Sequence, residues 1–169
     1  LAEWLADASV PKLGHDLKGA MRALDGVGVG LAGVAGDTVL AAYLLNPSRT
    51  SQTISDAADE HLETPLGALP DLDDEAWLVD ATAEQLAPFA RAVCAIPPLH
   101  AVLKQKLAAA ELAGLYADLE LPLLRVLARM ERTGIALDLD YLGALRVNME
   151  TTLRSLTEEL YRLGGTTFN

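Results

Sequence analysis

The chain has 169 residues, with 13 Lys+Arg against 24 Asp+Glu and a formal net charge of −11. Hydrophobic residues make up 51%, enough for a core, so wholesale disorder is excluded. Phosphate binding needs a basic surface, so this composition also excludes a general nucleic-acid clamp, and the chain alone is expected to bind DNA weakly or not at all.

From the start, Leu1–Asp7 reads as the end of an amphipathic helix and Ser9–His15 as a turn and a short strand. Asp16 is placed to cap a helix over Leu17–Leu24, which the glycine-rich stretch Gly26–Gly30 ends. Val29–Ala35 predicts a second buried strand. Asp37-Thr38 opens a helix through Leu45, and Asn46–Ser51 is a loop. A short helix follows over Ile54–His61, capped by Thr53 or Ser55. Thr64–Asp74, rich in Pro, Gly and Asp, is a surface loop.

Thr82 with Gln85 forms a capping box for the next helical stretch. Pro97-Pro98 predicts a break or kink in it, because proline lacks the amide donor and restricts its predecessor. Helix then resumes through Tyr116. Glu120–Thr133 is a helix with Pro122 in its first turn, Gly134 just past its end and one apolar stripe of Leu123, Val126, Leu127 and Met130. Ile135–Asp138 is extended. Asp138 or Asp140 caps a last helix to about Leu163, ended by Gly164-Gly165. Two or three strands are too few for an open sheet, which points to strands missing upstream. Residues 1–100 hold 5 Lys+Arg and 15 Asp+Glu, and residues 101–169 hold 8 and 9, so two regions with different surroundings are expected. No uninterrupted apolar run reaches membrane-spanning length and no signal peptide is visible. The expectation is an excised segment of a longer cytoplasmic protein.

Few residues offer chemistry. The acidic run Asp71-Leu-Asp-Asp-Glu75 lacks the spacing and turn glycine of a calcium loop and reads as solvated. His15-Asp16 lacks histidine partners for a metal and reads as a strand end plus a helix cap. Cys94, the single cysteine, excludes a disulfide framework and reads as a small buried hydrophobe. Gly26–Gly30 follows a helix, whereas a phosphate cradle follows a strand, so it reads as a connection. Arg125, Arg129 and Arg132 recur at helical spacing; they could meet phosphate or be solvated helix charges.

The segment Glu120-x-Pro-Leu-x-x-Val-Leu-x-x-Met-Glu-x-x-Gly-Ile-x-x-Asp138 resembles the start of the polymerase domain in the bacterial family A DNA polymerases. The ending Gly164-Gly-Thr-Thr-Phe-Asn169 resembles the same family. Pro11–Lys18 resembles its second 3′→5′ exonuclease motif, and Gly36–Asn46 resembles a helix of the same exonuclease domain. These matches run in family order along nearly the whole chain.

The resemblance implies an α/β, ribonuclease-H-like fold lacking its first strands, followed by a mainly helical start of the polymerase domain. It implies residues 1–117 as the C-terminal part of the exonuclease-like domain and 118–169 as polymerase helices. It also implies where the chain departs from active members. Their second motif ends in a metal-binding Asp, where this chain has Ala20. Their third motif pairs a Tyr with a metal-binding Asp four residues on, where this chain has Phe89 and Val93. Asp37 is implied to be a helix-start residue. The exonuclease is therefore expected to be inactive and structural, with no catalytic residue and no metal in this segment. The parent is expected to be a DNA-directed DNA polymerase of replication and repair, with Mg2+ at its own active site and DNA primer-template and dNTPs as partners. A working exonuclease and a strandless helical interaction module are the alternatives.

Overall fold

The computed structural model describes residues 1–62, 66, 67, 69 and 81–166. The acidic run 71–75, most of the 64–74 loop and the final Phe168-Asn169 lie outside them. In chain order the elements are α1 (Ala2–Ala6), β1 (Lys12–Gly14), α2 (Leu17–Gly26), β2 (Val34–Asp37), α3 (Thr38–Leu45), α4 (Ile54–His61), α5 (Ala83–Ala109), a π-helical segment (Leu115–Glu120), α6 (Leu121–Thr133) and α7 (Leu139–Gly164). The two strands pair in parallel, with Leu13 opposite Gly36 and Gly14 opposite Asp37, and α2 makes the crossover between them. This is the α/β arrangement expected, a small parallel sheet followed by helices.

The helix starts follow their capping side chains. Asp16 accepts a hydrogen bond from Gly19 N at 3.1 Å at the start of α2. Thr53 with Asp56, and Thr82 with Gln85, close reciprocal capping boxes on α4 and α5. Asp138 caps α7, and Gly165 ends it in the left-handed conformation at φ 68°. The second strand differs from expectation. Pairing begins only at Val34, because residues 30–33 cross the chain's first turn instead: Ala32 N donates to Leu5 O and Lys12 N to Gly33 O. Gly33 has φ +72°, and a Cβ there would stand 2.2 Å from Val10 O, so only glycine fits.

The predicted break at Pro97-Pro98 does not occur. Helix α5 runs unbroken for 27 residues. Both prolines are exposed, and the carbonyls whose partners they remove, those of Val93 and Cys94, belong to exposed residues that water can reach. Cys94 is accordingly exposed and not the buried hydrophobe expected. Among the described residues α5 alone is long and apolar enough to cross a membrane by length and composition, although Arg91 interrupts its apolar run. Its Leu99, Leu103 and Leu107 are instead buried in the core, at 0%, 0% and 1% exposure, in one cluster with Ala41 and Ala42 of α3 and Ile54 and Ala57 of α4. The small alanines let the helices approach closely.

The chain divides into two compact units, Leu1–Thr133 and Gly134–Asn169. In the first, α6 packs on α2 and on the π-helical segment. The residues of α6 that become buried are Leu124 and Ala128, and the stripe Leu123, Val126, Leu127 and Met130 is exposed. Sequence periodicity marks an apolar stripe but does not say which side meets α2. The second unit contains α7, which buries none of its residues and shows Leu142, Leu145, Met149, Leu153 and Leu156 along one face.

Strand β2 passes α5 at Gly36. A Cβ built there would lie 2.2 Å from His100 Nε2. Gly36→Ala should lower stability by about 1–3 kcal/mol through overpacking. Denaturant midpoints should show that His100→Ala, added to it, recovers part of the loss, because the two sites are coupled.

Candidate functional site

Where β2 ends and α3 begins, the carboxyl group of Asp37 is 1% exposed. Its Oδ1 accepts from Val39 N at 2.8 Å and Leu40 N at 3.3 Å, which caps α3. Its Oδ2 accepts from Leu17 N at 2.6 Å, which ties the start of α2 to the same side chain. Helix N-termini expose amides without intrahelical partners, and one carboxyl group here serves two of them. The backbone of Asp37 is held as well. Its N–H donates to the Tyr116 hydroxyl at 2.8 Å, and that hydroxyl donates to Asp37 O at 3.0 Å. Burial pushes the Tyr116 hydroxyl up to about 12, so it stays protonated and able to donate.

His15 lies beside this knot. Its Nδ1 is 2.8 Å from Thr38 Oγ1, and that hydroxyl donates to Gly14 O at 3.2 Å. Burial lowers the His15 pKa below its ordinary value, and the nearby Asp37 charge opposes the shift. His15-Asp16 is therefore a strand end and a helix cap, as its lack of histidine partners suggested. Lys12, also buried, donates its Nζ to Asp7 O and lies 5.2 Å from the Trp4 ring centroid. Among the described residues no buried side-chain N or O lacks a hydrogen-bond partner.

Ala20 sits half-buried in α2, Phe89 half-buried in α5, and Val93 is 64% exposed on α5. Their helices have different packing partners: α2 lies on α6, and α5 lies on α3, α4 and β1. Two aliphatic side chains and a phenyl ring offer no atom to a cation. Among the described residues no three or more His, Cys, Asp or Glu form a group able to hold a metal ion. Gly26–Gly30 connects α2 to β2 and carries no phosphate-cradle geometry.

The three arginines fall differently. Arg132 pairs with Asp25 of α2 at 3.0 Å, while Arg125 and Arg129 are exposed and line a cleft of about 220 Å³ with Met21 and Leu31. An adjoining cleft of about 410 Å³ shares Met21 and Arg125. The sequence suggested the arginines. It gave no signal for the Tyr116–Asp37 pairing, which joins positions 79 residues apart.

A parallel strand pair with helical crossover and capping carboxyl group is part of a ribonuclease-H-like fold, and the comparisons with known proteins agree. Residues 1–67 match the family described as "DNA polymerase I, ribonuclease H-like domain". The chain is 37% identical over its full length to DNA polymerase I of Mycobacterium tuberculosis and 39% identical to that of Mycobacterium leprae, covering 19% of each. It is 41% identical over 79% of its length to the thermostable DNA polymerase I of Thermus thermophilus, covering 14% of that protein. The solved POL domain of Pol1 from M. smegmatis, in complex with DNA primer-template and dNTP, superposes with a TM-score of 0.77 at 35% identity, over 99% of this chain and 27% of that one. The chain belongs to the DNA polymerase I family and spans about a fifth of the length of the Mycobacterium relatives (19%).

Asp37→Ala should cost about 3 kcal/mol or more, because three amides lose a buried acceptor. Asp37→Asn should still destabilise, since its amide group would meet Leu17 N–H donor to donor; urea midpoints of the two variants test the order. Burial also lowers the His61 and His100 pKa values, as it does that of His15. With folded-state values below the ordinary ~6.5, the unfolded chain binds protons first as pH falls. Stability should be full above pH ~6.5 and decline below it, and the decline between pH 7.5 and 5.5 should be shallower in His15→Gln.

Proposed function

We propose that this chain is a segment of a DNA-directed DNA polymerase acting in replication and repair, and that its exonuclease-like portion is catalytically inactive and structural. Residues 1–117 are read as the C-terminal part of that portion and 118–169 as the first helices of the polymerase domain. The polymerase relatives along the whole chain support the first statement, together with a structural neighbour whose complex holds primer-template and dNTP. Magnesium, primer-template and dNTPs are assigned to the polymerase's own catalytic site, outside these residues. A cytoplasmic setting goes with this reading.

One observation carries the inactivity. Ala20 and Val93 stand where the family resemblance calls for metal-binding carboxylates, and the buried carboxyl group of Asp37 is committed to three backbone amides. Phe89 further lacks the hydroxyl that would orient an attacking water. The structural role follows from the packing of α6 on α2. A helix assigned to the polymerase side is thereby seated on the exonuclease-like side, joined by the Lys18–Glu131 pair at 2.6 Å and the Arg132–Asp25 pair. A helical interaction module without strands does not fit the β1–β2 pair.

The test is a gel assay of the longer natural protein on a labelled primer-template with a mismatched 3′ end, with magnesium, with and without nucleotides. Extension with no shortening of the primer is expected. Metal-dependent 3′ shortening that persists in a polymerase-dead variant would show a working exonuclease and overturn the assignment of Ala20 and Val93.

A further inference from the structure

The cations of this acidic chain are not spread evenly. Helices α2 and α6 carry Lys18, Arg22, Arg125, Arg129 and Arg132, against only two carboxylates, Asp25 and Glu131. Both carboxylates are used within the helix pair. Glu131 lies 2.6 Å from Lys18 and 3.3 Å from Arg22, and Asp25 lies 3.0 Å from Arg132. Arg125 and Arg129 have no anionic partner among the described residues, and they line the ~220 Å³ cleft together with the Asp25–Arg132 pair, whose charges offset each other.

The connection from α2 to β2 contributes Gly30 and Leu31 to the same cleft. A Cβ at Gly30 would meet nothing within 4 Å. With no side chain at that point, a ligand's backbone can approach closely. One helical turn separates Arg125 from Arg129, a rise of about 6 Å, which is the axial span of about two phosphates on one DNA strand. Planar guanidinium groups suit phosphate oxygens, and phosphate contacts carry no sequence information.

We infer that the cleft between α2 and α6 is a docking track for the DNA phosphate backbone, with Arg125 and Arg129 as its contacts. This rests on the reading of the chain as part of a DNA polymerase. None of Ala20, Phe89 and Val93 lines this cleft. The net charge of −11 keeps the chain alone a poor DNA binder, so the track orients DNA that the longer protein already holds.

The experiment measures binding of a fluorescein-labelled primer-template to the longer natural polymerase, by anisotropy, across a salt series. Each phosphate contact contributes about 0.9 to the slope of log K against log salt, so Arg125→Ala/Arg129→Ala should flatten the slope by nearly two and weaken binding about tenfold or more at low salt. Arg125→Lys/Arg129→Lys, which keeps the charge, should retain the slope, and circular dichroism melts of both variants check that the fold is intact. An unchanged slope in a folded double-alanine variant would overturn the track. So would arginine-dependent binding of a polyglutamate peptide with DNA binding unaffected, which would make the cleft a site for acidic protein segments. Primer extension by the unsubstituted protein is read in parallel: its absence would sink the polymerase reading, whereas an unchanged slope in the double-alanine variant alongside normal extension would sink only the track.

Discussion

The buried carboxyl group of Asp37 is the constraint around which the first unit is organised. Three backbone amides, from the starts of α2 and α3, converge on its two oxygens, and its own peptide groups are gripped by the Tyr116 hydroxyl. Burying a carboxyl group is costly unless its hydrogen-bonding capacity is filled, and here the protein fills it with donors that otherwise have no partner. Strand β2, two helix starts and the π-helical segment are therefore fixed by one residue.

Around that knot the packing is built on size. Leu99, Leu103 and Leu107 recur every four residues along α5 and fill the space against alanines of α3 and α4. Gly36 and Gly33 allow two close backbone approaches, to His100 and to Val10. Pro97 and Pro98 fall on the exposed side of α5, so the carbonyls they orphan are open to solvent and the helix continues. Helix α6 extends this unit through Leu124, Ala128 and a set of ion pairs to α2. Those pairs are exposed, and each contributes little on its own. Their consequence is electrostatic, since they consume the local carboxylates and leave two guanidinium groups unneutralised at the cleft.

The chain thus combines a ribonuclease-H-like fold with aliphatic and phenyl side chains, which offer no atom to a cation, at Ala20, Val93 and Phe89. A ribonuclease-H-like scaffold keeps its strand pair, crossover and capping carboxyl group because these are requirements of folding. Ala20, Phe89 and Val93 sit where folding demands only that a helix continue, and each meets that demand.

Local physics decided what could be read from the sequence. The caps Asp16, Asp37, Thr53, Thr82 and Asp138 were legible because a capping side chain acts on amides two or three residues away. The family and the order of its segments were legible because the motifs are contiguous. Tertiary structure alone decided the face of α6 that is buried, the exposure of Cys94, the start of β2 at Val34 and the unbroken course of α5. In each case the outcome depends on what lies across the space from the residue, such as α2 beneath Leu124 or water beside Pro97. The Tyr116–Asp37 pairing and the cleft of Arg125 and Arg129 belong to the same class. Hydrogen bonds and uncompensated charges are set by distance in space, and the sequence specifies distance only along the chain.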